Sequence, residues 1–155
     1  MSDVLKNRIQ QQRFESPAVE AMLNLLVAAD FMARKTDEVC ASFQLTRSQF
    51  NVLRILKGAH PDGHARCEII RRMVEQSPDI TRLVDRLESQ GLAIRDRSGE
   101  DRRLSITRIT PAGIELLEKM TPRIKEVGAF FAERVSLRDC RELSRICEGL
   151  YGEEV

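Results

Sequence analysis

RDRSGEDRRLSITRITPAG, residues 95–113, is the stretch whose reading decides the fold. Leu92–Arg95 and Leu104–Arg108 have the length and composition of two short strands around a charged, glycine-containing turn. Thr110-Pro111 then restarts a helix, with threonine as its cap and proline at the first helical position. At the tip, Asp101-Arg102-Arg103 sets two guanidiniums beside one carboxylate. A solvated hairpin has no need of such a pair, whereas a finger reaching for a phosphate or a groove does. The segment is therefore read as a basic β-hairpin shaped to touch DNA.

Immediately upstream, Ser77-Pro78 reads as the cap of a helix that runs to Gln90 and stops at Gly91. Its apolar residues Ile80, Leu83, Val84 and Leu87 follow the i, i+3, i+4, i+7 pattern. Pro78, Asp79, Arg82, Asp85 and Arg86 fall on the opposite face, within about 60° of Arg82. Before it comes a short helix over 67–74, with Ile69, Ile70 and Met73 inward. A turn-rich loop, Gly58 and His60-Pro61-Asp62-Gly63, separates that helix from one starting at Thr46. Thr46 and Gln49 match a capping box, Leu45 and Phe50 its hydrophobic staple, and Phe50, Val52, Leu53, Ile55 and Leu56 the buried side.

The outer elements are helical. Ser16-Pro17 opens a helix to about Phe43, with Val19, Met22, Leu23, Leu26, Val27, Phe31 and Met32 spread around much of its circumference. A helix apolar on several sides packs against more than one neighbour, which points to a second chain. Beyond the hairpin, one helix spans Thr110 to about Val135, with Pro122 placed to kink or split it, and another runs from Ser136 to about Tyr151. The order is α-α-α-α-β-β-α-α.

Composition is that of a globular domain of 155 residues, 42% hydrophobic and 32% charged. The net charge of +1 is unevenly spread. Residues 47–108 hold 13 Lys/Arg against nine Asp/Glu, while 1–46 hold five against six and 109–155 seven against nine. The positive excess thus coincides with the hairpin, as a central nucleic-acid surface requires. No apolar run approaches the roughly 20 residues of a membrane span, and the N-terminus lacks a signal-peptide core, so no membrane partner and a cytoplasmic location are expected.

Chemistry-bearing motifs are sparse. Cys40, Cys67, Cys140 and Cys147 show no CxxC spacing and are read as buried structural thiols. Cys67, between Arg66 and Glu68 and near His64, has the polar company that a redox sensor needs. His60 and His64 flank a loop that breaks helical spacing, so no metal site is expected. No phosphate loop, HExxH or GxSxG occurs, and neither catalysis nor a cofactor is expected.

Two short helices joined by a tight turn and followed by a hairpin make a winged helix-turn-helix. Over nearly its whole length the chain resembles the MarR family of transcriptional regulators. The likeness is densest where ITRLVDRLESQGL, 80–92, is followed by DRRLSITRITPAG, 101–113. It implies a mainly α fold with a small β-hairpin wing. A winged helix-turn-helix DNA-binding domain would occupy 45–109, and a helical dimerisation region 1–44 and 110–155. It further implies a homodimer binding double-stranded DNA at a pseudo-palindromic operator, usually as a repressor released by a small organic effector.

Carried onto this chain, the likeness puts Arg82 at the family's base-contacting position and Arg102 at the wing-tip arginine that enters the minor groove. Asp101 and Arg103 match the pair that shapes the wing, and Thr110 and Gly113 the closing residues of its motif. The candidate DNA-contacting set is Ser77, Pro78, Asp79, Thr81, Arg82, Arg86, Arg97, Arg102 and Arg103. Arg95, Arg97 and Arg108 read equally as solvated charges or as phosphate contacts. Two departures stand out: the turn Met73-Val74-Glu75-Gln76 lacks the usual glycine, and Asp79 opens the recognition helix where a small hydroxyl is common. The alternatives are a constitutive or architectural DNA-binding protein without an effector, and a cysteine-based redox sensor.

Overall fold

The computed structural model describes residues 3–75, 79–96 and 105–152. In chain order these form α1 (Val4–Ile9), α2 (Pro17–Ser42), α3 (Arg47–Gly58), β1 (His64–Ala65), α4 (Arg66–Arg72), α5 (Ile80–Ser89), β2 (Ala93–Arg95), β3 (Ile106–Ile109), α6 (Pro111–Ala132) and α7 (Leu137–Tyr151). The fold is mainly α with a small antiparallel sheet, as expected.

Helix starts follow the side chains that cap them. Ser16 Oγ accepts the Val19 N–H at 3.3 Å with Pro17 at the first position of α2. The Thr46–Gln49 capping box of α3 is complete in both directions. Thr110 Oγ1 accepts the Gly113 N–H at 3.1 Å and donates to the Gly91 carbonyl at 2.7 Å, so one hydroxyl starts α6 and ties it to the end of α5. Gly91 takes φ +71°, the left-handed conformation that lets the chain turn directly from α5 into β2. Gly113 is fixed by proximity instead. A Cβ there would stand 2.4 Å from the Leu92 carbonyl oxygen and 2.7 Å from Ile109 Cγ1.

Several boundaries differ from expectation. α5 begins at Ile80, not at a Ser77 cap, because the Asp79 carboxylate accepts the Arg82 N–H at 3.2 Å and takes the cap position. Ser77 and Pro78 lie outside the described residues. The wing pairs as Ala93–Arg95 with Ile106–Ile109, in the register Ala93↔Ile109, Ile94↔Arg108 and Arg95↔Thr107. A third strand, β1, pairs antiparallel with β3 through His64↔Thr107 and Ala65↔Ile106, giving the order β1-β3-β2. Two residues are too few for any periodic signal, and the sequence read them as loop. The short α1 was not anticipated either. In α4, Ile69 is fully buried but Ile70 is half exposed, since about 100° of turn per residue carries it off the buried side. α6 runs unbroken through Pro122; Pro122 and Glu118 both sit on the exposed side, where water reaches the carbonyl that proline leaves without a donor.

The core is centred on α3. Val52, Leu53 and Leu56 are wholly buried with Ile69 of α4, Leu87 of α5, Met120 of α6 and Cys40 of α2. The helix-turn-helix and the two long helices therefore share one core, and α5 is held from behind by the same residues that anchor α6. α7 is different: none of its residues is buried. Leu143, Ile146 and Leu150 stay exposed on it, as Met22, Leu26 and Phe31 do on α2.

Candidate nucleic-acid interface

Met73–Glu75, the described part of the turn that follows α4, is tied down by side chains. Glu75 receives Arg47 through Nε at 2.7 Å and through Nη2, and Ser48 Oγ at 3.0 Å. Asn51 Oδ1 accepts the Val74 N–H at 2.9 Å. The turn is thus stitched to the first turn of α3 by charged hydrogen bonds, where a glycine would have supplied only conformational freedom. Arg47 also reaches Asp37 of α2 at 3.3 Å, linking the turn to the long helix.

On α5, Ile80, Val84 and Leu87 are buried, while Asp79, Thr81, Arg82, Asp85 and Arg86 are exposed. The exposed face is the one the sequence assigned. The Arg82 side chain is 83% exposed, and its Nε lies 3.3 Å from Asp79 Oδ2. Such a surface pair is weak and easily exchanged for a stronger anion. Asp79 therefore acts within its own helix, as cap and as partner of Arg82. Thr81 Oγ1 accepts Arg66 Nη1 at 3.2 Å, which places an α4 guanidinium beside the start of α5. Arg71 and Arg72, by contrast, both bind Glu68 on their own helix. The hydrogen bond from Arg72 comes first among the contacts holding the Glu68 carboxyl below its ordinary value.

The wing arginines divide. Arg97, Arg102 and Arg103, with Asp101, lie outside the described residues. Arg108 meets Asp96 across the hairpin at 3.5 Å. Arg95 is neither solvated nor free for a phosphate: its Nη2 lies 2.5 Å from Asp85 Oδ1 and 3.0 Å from Glu88 Oε2, and its backbone N–H donates to Glu88 Oε1 at 2.8 Å. Asp85 and Glu88 are one turn apart on α5, and the tight turn at Gly91 returns β2 alongside them.

The thiols do not form one class. Cys40 is fully buried, and burial, with Asp37 adding to it, pushes its thiol up to about 11. Cys67 is exposed, correcting its reading as a buried thiol, because it lies two residues before Ile69 and so points away from the core. Cys140 and Cys147 are half-buried. Among the described residues, no group of three or more His, Cys, Asp or Glu side chains is arranged to hold a metal ion, and no helix is long and apolar enough to cross a membrane.

A family model described as the MarR family matches residues 45–105. The crystal structure of a MarR transcription factor from Planctomyces limnophilus is 35% identical, covers 88% of this chain and 98% of that one, and superposes with a TM-score of 0.69. S. aureus MepR, crystallised as a DNA complex, is 21% identical over 86% of this chain and 96% of its own, with a TM-score of 0.72. Bordetella bronchiseptica BpsR, whose DNA binding is regulated by 6-hydroxynicotinic acid, is 17% identical over 90% and 98%, with a TM-score of 0.71. The last two share the fold. The exposed arginine face of α5, the three-stranded wing and this likeness agree: the chain belongs to the MarR family of winged helix-turn-helix, DNA-binding transcriptional regulators, which are not enzymes.

Proposed function

We propose that this regulator works as a homodimeric repressor, binding a pseudo-palindromic operator in the cytoplasm and leaving it when a small organic effector binds. In this reading residues 45–109 are the DNA-binding domain, and 1–44 with 110–155 the dimerisation region. Arg82 and Arg86 face the major groove. The observation that carries it is the exposed pair of guanidiniums on α5, beside a wing and backed by a rigid shared core. The uncovered apolar residues of α2 and α7 support the dimer.

A pocket of about 400 Å³ between α3 and α6 supports the effector. Phe50, Leu117 and Ile124 supply apolar walls, and Arg54, Lys57 and Lys125 ring them with positive charge. That combination suits an aromatic acid or another apolar organic anion. A ligand there can loosen DNA only through unequal affinity for the DNA-competent and incompetent arrangements, with couplings of about 1–3 kcal/mol.

The test is selection of a preferred duplex from a random pool, followed by titration of that duplex and a scrambled one at the same salt. An inverted repeat with half-sites about ten base pairs apart, bound far more tightly than the scrambled duplex, is expected. Equal affinities would leave a non-specific DNA-binding protein. Thermal-shift hits among aromatic acids should then weaken the selected complex. Hits that stabilise the protein yet leave operator affinity unchanged would favour constitutive binding.

A further inference from the structure

We propose that Arg95 is a positioning residue that locks the angle between α5 and the wing, so that sequence selectivity depends on a side chain that does not itself touch DNA. The inference rests on the operator reading above.

Glu88 holds Arg95 at two points, the backbone N–H at 2.8 Å and the guanidinium at 3.0 Å. Asp85, three residues earlier on α5, holds the same guanidinium at 2.5 Å. Both carboxylates meet the same nitrogen, Nη2, of the guanidinium, so one charged donor draws Asp85 and Glu88 together onto β2. The Glu88 half of the bridge is sheltered, with the Arg95 side chain 20% exposed and Glu88 18%, while Asp85 holds it from the solvent side at 55%. Arg95 also sits opposite Thr107 in the sheet, so its grip passes from β2 into β3. Through β3 it reaches β1, at the entry to α4.

Electrostatics point the same way. Affinity for a polyanion alone would be better served with no carboxylates on α5, yet Asp85 and Glu88 stand beside the face that carries Arg82 and Arg86. Arg95 offsets one of their two charges, and their geometry joins the element that reads bases to the element that reaches the flank. A binding surface that is ordered beforehand avoids the entropy loss of being ordered on contact, and that saving applies to the site where helix and wing must both fit.

The experiment uses the full chain and the duplex selected with it. Arg95→Gln removes the guanidinium. Asp85→Asn with Glu88→Gln removes both carboxylates and leaves Arg95 in place. Both variants should lower the ratio of selected to scrambled affinity by roughly tenfold, and the second should bind scrambled DNA at least as tightly as wild type. Arg95→Lys, which keeps the charge on a shorter side chain without the planar guanidinium, should also lose selectivity. A phosphate contact would behave otherwise: Arg95→Gln would weaken both duplexes equally with a smaller salt slope, and freeing Arg95 from its acids would tighten both. Either result overturns the proposal, as does a wild-type ratio in both variants alongside a lowered melting temperature, which would make the bridge a fold contact only. A wild-type chain that selects no sequence fails one step earlier, and removes the operator reading together with the clamp.

Discussion

Arg82 and Cys40 show how differently single residues are placed here. The Arg82 guanidinium stands in solvent on the exposed face of α5, so in the proposed operator complex Arg82→Ala should cost about 1–3 kcal/mol of affinity and relax base preference at one position. Titration against singly substituted operators checks this; a uniform loss across all of them would make Arg82 a phosphate contact. Cys40, buried at the end of α2, should resist thiol reagents in the folded protein, while the exposed Cys67 reacts first. Counting modified thiols by mass before and after denaturation separates the two. Folding raises the Cys40 value from 9.0 to about 11, so the folded state holds its proton more tightly than the unfolded chain does. The stability linked to this group is full below pH 9 and is lost as pH rises towards 11, which denaturant titrations across that interval should register.

At the scale of elements, Gly113 is the position where α6 lies against the wing. Gly113→Ala should destabilise by about 1–3 kcal/mol, because a methyl 2.4 Å from the Leu92 carbonyl forces α6 off the sheet. The helix propensity gained, about 1 kcal/mol, is smaller. Thr46→Ala, which opens the α3 capping box, should cost about 1 kcal/mol, and both variants can be read by urea unfolding. These elements were legible in the sequence because local chemistry announces them: a hydroxyl three residues before the backbone N–H it accepts, a proline at the first position, a glycine just past the last. The register of Ile80, Val84 and Leu87 was legible for the same reason, since burial imposes the helical period. β1 was not, because two residues become a strand only when β3 is there to pair with them. Nor was the bridge at Arg95, where side chains seven and ten residues apart meet only after Gly91 reverses the chain. The cap of α5 is harder to read, since Ser77-Pro78 carries a cap signature two residues before Asp79, whose carboxylate takes the Arg82 N–H.

For the whole molecule, α2 and α7 leave Met22, Leu26, Ile146 and Leu150 about half exposed or more. Sedimentation at micromolar concentration should give twice the 17.7 kDa chain mass. Leu26→Glu with Leu150→Glu should shift it to monomer and weaken the operator complex; a stable wild-type monomer would remove the homodimer reading. In the proposed homodimer, α7, which has no buried residue of its own, gains its cover from the partner chain. A lone helix of 15 residues is marginal in water. Chains too dilute to find a twin would fray from that end and expose backbone to proteases, while paired chains would be spared. Turnover would then fall mainly on the unpaired fraction, and the cell would keep a pool of regulator trimmed by its own scarcity.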